Sequence, residues 1–281
     1  MTLVRHTLLL LILLVSRPGL GCDPDSIQSM SPASDEQLEA LVTCLASPDP
    51  ELRDQFAYTS LATLLRDQRP ADEQLEFLSA ELDELLQQPD PVGVAHPFAI
   101  LVFAEIARTD RIEAWMSPVQ RQGLVDKASN YLESVSDYRG FDPQVGWRHG
   151  VAHAADLAMQ LALNPALSRA QQLQLMRAIA RQVAPAHAYR FGEPARLARP
   201  VLFIASGDEL EDEAWQAWFE ELTNPAPLSG WEAAWQDTEG LARRHNLRAF
   251  ALEIYLNATL SEQPGIQALQ PHALGVLQAL R

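Results

Sequence analysis

The feature that most constrains the fold is a long series of apolar residues at helical spacing, interrupted by short polar turns. Residues 71–88, for example, place Leu75, Leu78 and Leu82 on one helical face. An alternation of apolar and polar residues with a period of two, which marks β-strands, never continues for long. The pattern predicts an all-α protein of about eleven helices.

Recognisable start signals precede several of these helices. Ser34 is followed by Gln37 at the spacing of a capping box, Ser117 precedes Pro118, and Ser168 opens another apolar series. The connections are short, which favours antiparallel neighbours. Such hairpins predict a HEAT-like α-solenoid, and a closed α/α toroid is the alternative, since both are built from the same hairpins.

The N-terminus reads as a targeting segment. Arg5 precedes the apolar run Leu8–Val15, which is too short to span a bilayer, so residues 1–21 are predicted to be a signal peptide. The polar, turn-rich residues 22–35 are predicted to be a linker or tether, and residues 36–281 a single α-helical repeat-like domain. We therefore expect a periplasmic, secreted or lipid-anchored protein of the bacterial envelope.

Two fates are open to Cys22. It follows Gly21 in a sequence similar to a lipoprotein box, which predicts lipidation of Cys22 and an anchor in the membrane. Alternatively, Cys22 pairs with Cys44 in a disulfide, which an oxidising compartment permits.

The charge of the chain excludes some partners. It has 37 acidic and 21 basic residues, a formal net charge of -16, and no basic stripe. Because contacts to phosphate dominate nucleic-acid affinity, we expect no nucleic-acid partner. An anionic membrane surface is disfavoured for the same reason, so the expected membrane contact is the lipid on Cys22.

The most informative stretch is "GWRHGVAHAADLAMQL". If residues 147–163 form one helix, His149, His153, Asp156 and Gln160 form a narrow polar line on an otherwise apolar surface. A helix that is apolar almost all round is buried. We therefore expect the polar line to face a polar cleft.

Three interpretations of the polar line remain open. His149, His153 and Asp156 could bind a divalent metal. A histidine tuned by Asp156 could instead do acid–base work, or bind an anionic or sugar ligand. In the third interpretation both histidines are neutral and hydrogen-bonded within the packing. Gly150 stands where a zinc metalloprotease needs glutamate, so that mechanism is not indicated.

The loop before this helix adds further candidates. Gly140 and Gly146 permit unusual backbone angles, and a loop at a helix N-terminus can hold an anion. Arg139 and Arg148 could clamp a carboxylate, or Arg139 could pair with a nearby aspartate while Trp147 packs as an anchor.

Two segments carry a family resemblance. "YRGFDPQVGWRHGVAHAADL" and "GEPARLA" resemble the corresponding motifs of DUF2785, a bacterial family of unknown function. The resemblance implies an all-helical fold, but it implies no reaction. It also implies a pocket lined by six residues: Arg139, Trp147, His149, His153, Asp156 and Arg196.

Two functional hypotheses follow. The first is a binding or interaction module whose polar cleft is centred on His149, His153 and Asp156, and whose partner is a small molecule or an envelope protein. The alternative is an extracytoplasmic hydrolase, possibly metal-assisted, in which His149 or His153 is the base and Asp156 orients it. No G-x-S-x-G nucleophile elbow is present, and the sequence alone does not decide between the two hypotheses.

Overall fold

The structure is a computed structural model that describes Cys22, Pro24 and residues 34–207 and 209–281. The predicted signal peptide, residues 1–21, lies outside the described residues, as does most of the predicted linker, residues 22–35. The single domain predicted for residues 36–281 stays a prediction.

The prediction of an all-α protein is confirmed. A small antiparallel pair of strands, β1 (Phe141–Asp142) and β2 (Gly146–Trp147), is present as well. The helical segments are, in chain order, α1 (Asp35–Cys44), π1 (Glu51–Tyr58), α2 (Thr59–Thr63), π2 (Leu64–Gln68), α3 (Asp72–Gln87), α4 (Ala95–Ile112), α5 (Pro118–Ser134), α6 (Gly150–Ala162), α7 (Arg169–Val183), α8 (Glu193–Ser206), α9 (Asp212–Thr223), a 3₁₀ helix (Trp231–Gln236), α10 (Thr238–Leu260), α11 (Pro264–Gln267) and α12 (Leu269–Ala279).

Serine side chains begin three of the helices, as the sequence indicates. Ser34, Ser117 and Ser168 each accept a hydrogen bond from the backbone N–H of a glutamine three residues later. The side chain of that glutamine accepts a bond from the serine N–H, which completes a capping box. Such a cap stabilises a helix by about 1 kcal/mol, so local sequence fixes where α1, α5 and α7 start.

The main packing joins each helix to the next but one in the chain. Helix α4 packs on α6, α6 on α8, and α8 on α10, which gives one row of helices. A second row contains α5 and α7, and α1 packs on α3. Both a solenoid and a toroid can contain such rows, so the choice between them stays a prediction. Helix α6 lies between α4 and α8, which explains why its sequence is apolar almost all round.

Two observations bear on the expected membrane anchor. The Sγ atoms of Cys22 and Cys44 are joined in a disulfide, with the Cα atoms 5.0 Å apart. A sulfur in a disulfide cannot also carry a lipid thioether, so of the two fates considered for Cys22 the structure has the disulfide. Within residues 34–207 and 209–281, every helix is too short or too polar to cross a bilayer.

Candidate functional site

A hairpin, not a helix, precedes α6. The helix predicted for residues 147–163 begins only at Gly150, and Trp147 lies in β2, opposite Phe141. His149 is the N-cap of α6 and has left-handed backbone angles, φ 57° and ψ 35°. Its N–H donates to Arg139 O at 3.3 Å, continuing the hairpin pairing. Because this pairing holds the backbone away from helical angles, α6 cannot start earlier.

A buried arginine that the sequence analysis missed fixes the hairpin. The side chain of Arg53, in π1, is fully buried. Its Nη2 donates to Val145 O at 2.7 Å, and its Nη1 donates to Ser47 O at 3.0 Å. Its guanidinium carbon lies 4.7 Å from the ring centroid of Phe98. Arg53 thus ties the N-terminal helices to a turn that lies 92 residues later in the chain.

His149 is neutral and donates its ring proton to the main chain. Its Nε2 donates to Phe191 O at 3.1 Å and lies 3.8 Å from Oε1 of the buried Glu193. Burial lowers the pKa of His149, and Glu193 works against that change. Because Nε2 carries the proton, Nδ1 has a free lone pair, and among the described residues Nδ1 has no hydrogen-bond partner.

His153 lies deeper, below His149. The two ring centroids are 6.0 Å apart, and the edge of His153 meets the ring of Phe98 with the centroids 5.2 Å apart. Nδ1 of His153 donates to Pro97 O at 3.1 Å. Burial, with His149 as a smaller cause, lowers the pKa of His153 to about 3. His153 is therefore a neutral residue within the packing between α4 and α6.

The rest of the polar line is paired with neighbouring helices. Both carboxylate oxygens of Asp156 lie 2.5 Å from Nη1 of Arg196, in α8. Burial raises the pKa of Asp156, and the guanidinium of Arg196 opposes that rise. Oε1 of Gln160 accepts from Nε of Arg111 at 3.1 Å. Every member of the polar line thus has a partner within the chain.

These contacts do not make a metal site. Across the part of the chain that the structure describes, no group of three or more histidine, cysteine, aspartate and glutamate side chains is arranged to hold a metal ion. His149 and His153 direct their protonated nitrogens at two different carbonyl groups, while Asp156 turns to Arg196. The metal interpretation of these residues therefore has no support in the structure.

Arg139 lies apart from the other predicted site residues. Its side chain is half exposed, and its Nε donates to Oδ1 of Asp137 at 2.8 Å. Its Nη2 donates to Val92 O at 3.2 Å. The structure thus brings Trp147, His149, His153, Asp156 and Arg196 into one region, while the Arg139 side chain points to the Asp137 side of the hairpin.

The sequence of the chain matches one protein family over most of its length. The family described as "Protein of unknown function (DUF2785)" matches residues 78–256, which is well over half of the chain. The chain belongs to this family. A search of curated proteins and a search of solved structures each gave no match. The hairpin, α6 and α8 lie within the DUF2785 match, whereas Arg53 lies before it.

Three exposed aromatic rings cover this DUF2785 hairpin, and we call them the aromatic patch: Phe141, Trp147 and Phe191. They are 52%, 38% and 37% exposed. The Trp147 ring lies 5.2 Å from that of Phe141, 5.6 Å from that of Phe191 and stacks on His149 at 4.6 Å. Phe141 and Phe191 were not predicted site residues; Phe141 lies within the first family motif and Phe191 directly before the second, and only these places could have drawn attention to them.

Proposed function

We propose that this protein is a binding module whose ligand rests on the aromatic patch, above His149. The observation that carries the proposal is the exposure of three large rings in mutual contact. A soluble protein gains nothing from leaving such a surface in water, and contiguous apolar patches mark interaction sites. The sequence-based hypothesis centred the site on His149, His153 and Asp156; the proposal moves the contact surface outward to the rings that cover them.

The patch is held in a fixed shape. Arg53 binds the carbonyl of Val145 in the turn, and the ring of Phe191 lies against Gly140, where a Cβ atom would come within 2.0 Å of the ring. The stacked ring of His149 supports Trp147 from below. A surface that is ordered before binding loses little conformational entropy when a ligand binds, so the fixed shape of the patch favours a role in ligand binding.

The ligand class that fits this surface has a flat apolar face edged by hydroxyl groups, as a sugar ring has. Aromatic faces accept the apolar face of such a ring, and a few polar groups at the edge fix its orientation. The free Nδ1 of His149 accepts a hydroxyl proton, and the Asp156–Arg196 pair offers both acceptors and donors nearby. The net charge of -16 disfavours a polyanionic ligand.

We also propose that the protein works outside the cytoplasm, as a periplasmic or secreted protein. The Cys22–Cys44 disulfide supports this location, since disulfides persist in oxidising compartments. The apolar run Leu8–Val15 behind Arg5 supports export by the general signal-peptide route.

A fluorescence titration with neutral oligosaccharides tests the proposed function. Residues 22–281, produced with the disulfide intact, are titrated with oligomers of glucose and of N-acetylglucosamine. We expect binding that Trp147→Ala weakens about tenfold or more, since an aromatic anchor typically carries about 2 kcal/mol. Trp235→Ala is the matched control, because Trp235 is also exposed but lies beside Arg244. No binding, or equal loss in both variants, would overturn the proposal.

One observation favours a second candidate, a hydrolase acting on the same ligand. His149 has a strained backbone, and strain of this kind clusters at active sites. The buried carboxylate of Glu193 lies 3.8 Å from its Nε2 and could orient the ring as a base. Product analysis after long incubation separates the candidates. Turnover that His149→Asn abolishes while binding persists supports the hydrolase, and recovery of intact ligand excludes it.

A further inference from the structure

A second candidate site lies on the opposite side of the start of α6. There, α3, α4, α5 and the end of the hairpin enclose a cavity of about 590 Å³, which we call the Arg148 cavity. Its volume is within the usual range of small-molecule sites, about 300–1,000 Å³. The lining residues used below are Arg148, Tyr131, Asp90, Asp126, Asp137 and Gly123.

Arg148 brings a largely buried guanidinium with unused hydrogen-bond donors to the cavity. Arg148 is more than nine-tenths buried. Its Nε donates to Val92 O at 2.8 Å, but the nearest carboxylate oxygen, on Asp142, is 3.9 Å from Nη1. Among the described residues its two Nη atoms have no hydrogen-bond partner. The Nη atoms are nevertheless accessible to solvent, unlike the fully buried Nε of Arg53, so an acceptor that enters the cavity reaches them and forms charge-assisted hydrogen bonds.

Tyr131, in α5, brings a phenol hydroxyl to the same cavity, and among the described residues it has no hydrogen-bond partner. Burial raises the pKa of Tyr131, and the carboxylates of Asp90 and Asp137 raise it further. The hydroxyl is therefore protonated at neutral pH and available as a donor. Gly150 keeps the space beside it open, because a Cβ there would lie 3.0 Å from the hydroxyl oxygen.

Aspartate side chains surround the donors of Arg148 and Tyr131. Asp90, Asp126 and Asp137 line the cavity with Arg148 and Lys127. The oxygens of Asp90 accept backbone N–H groups, Asp137 pairs with Arg139, and Oδ1 of Asp126 accepts from the side-chain amides of Gln122 and Gln174. The lining thus combines three carboxylates with the cations of Arg148 and Lys127, so a ligand that carries both an anionic and a cationic group matches it better than a simple anion does.

We infer that the Arg148 cavity binds a small zwitterionic carboxylic acid of the α-amino acid class. The carboxylate of the ligand accepts hydrogen bonds from the Nη atoms of Arg148 and from the hydroxyl of Tyr131. Its ammonium group faces the acidic side chains of the lining. Guanidinium recognises carboxylate in a planar, paired geometry, which gives this end of the site its selectivity.

Calorimetric titration of residues 22–281 tests the inference. The probes are glycine, alanine, serine, glutamate and lysine, with acetate, methylammonium and inorganic phosphate as comparison ions that carry charge of only one sign. We expect at least one amino acid to bind about tenfold or more tightly than acetate or methylammonium, since both charged ends contribute. Absence of binding by every amino acid at millimolar concentration, or equal binding of acetate, would overturn the inference.

Matched variants locate the binding. Gly123, in α5, and Gly275, in α12, both have open space where a side chain would begin. Gly123→Leu places a large side chain at the edge of the Arg148 cavity and should weaken binding, whereas Gly275→Leu makes the same change elsewhere and should not. Tyr131→Phe should weaken binding about tenfold without lowering the melting temperature. Equal behaviour of the two leucine variants would contradict the location.

Trp147→Ala separates this inference from the proposed function. It removes a ring of the aromatic patch, which is not part of the Arg148 cavity lining. Amino acid binding should therefore be unchanged in Trp147→Ala. Loss of amino acid binding in that variant would assign the ligand to the aromatic patch instead.

Discussion

The two sides of the start of α6 handle their polar groups in opposite ways. On the His149 side, each polar side chain of the line is paired with another part of the chain, and apolar rings are what faces water. On the Arg148 side, the guanidinium Nη atoms and the Tyr131 hydroxyl lack partners among the described residues. The polar line that the sequence shows thus consists of packing contacts, whereas the donors without partners lie at the Arg148 cavity, which no sequence pattern indicated.

The largest expected effect comes from removing the anchor of the His149 side. Arg53→Met leaves Asp54 without its ion-pair partner and the carbonyls of Ser47 and Val145 without a donor, and we expect a loss of about 3–5 kcal/mol in the free energy of unfolding. Urea unfolding measures it. Arg169→Met, at an exposed ion pair with Glu211, is the control and should change little. A similar result for both variants would mean that the hairpin does not depend on Arg53.

The next effect is a pH dependence centred on His153. Its pKa is lowered in the folded state to about 3, whereas the unfolded chain takes up the proton near pH 6.5. Stability is therefore fully present above pH 6.5 and is lost as pH falls towards 3, by roughly 1.4 kcal/mol per pH unit. Urea unfolding between pH 7 and 4.5 measures the slope. His153→Gln keeps a donor for Pro97 O and should reduce that slope; an unchanged slope would place the titrating group elsewhere.

The backbone of His149 gives a smaller effect. His149→Gly and His149→Ala remove the same hydrogen bond to Phe191 O, but only alanine must hold the left-handed angles at a cost. We expect the alanine variant to be about 1–2 kcal/mol less stable than the glycine variant. Chemical denaturation of both variants gives the difference directly. Equal stability would show that the turn relaxes when the imidazole is gone.

The smallest effect compares two tyrosine hydroxyls. Tyr131→Phe removes a hydroxyl that has no partner among the described residues, so the free energy of unfolding should change by less than about 0.5 kcal/mol. Tyr189→Phe removes a buried hydroxyl that donates to Gln182 O at 2.9 Å, and it should cost about 1 kcal/mol. Thermal or urea unfolding of the pair measures both. A large loss in Tyr131→Phe would show that its hydroxyl is satisfied inside the protein.

Local patterns predicted the helices well. The all-α fold and the capping serines Ser34, Ser117 and Ser168 depend on contacts within a few residues, so sequence spacing is enough to find them. The late start of α6 was mispredicted, because Trp147 stands at helical spacing from Val151 and nothing local indicates the hairpin pairing of His149.

The candidate site was less accessible to prediction. The grouping of Trp147, His149, His153, Asp156 and Arg196 in one region agrees with the family resemblance, but the exposed rings of Phe141 and Phe191 carry no periodic signal. The role of Arg53 in the hairpin could not be found from sequence, because its partner Val145 lies 92 residues later in the chain, a distance that no short motif spans. Tertiary contacts determine the positions of these side chains, whereas sequence periodicity indicates only which helix faces are buried.

The position of Arg53 sets a practical limit on how the family can be studied. The match to DUF2785 starts at residue 78, so a fragment trimmed to that boundary would contain the hairpin but not Arg53, whose guanidinium holds its turn. The ring of Phe98 would lose its contact with the guanidinium of Arg53. The hairpin that carries Trp147 would become more mobile. Ligand screens on such a fragment would detect no binding, because the aromatic patch would no longer keep its shape.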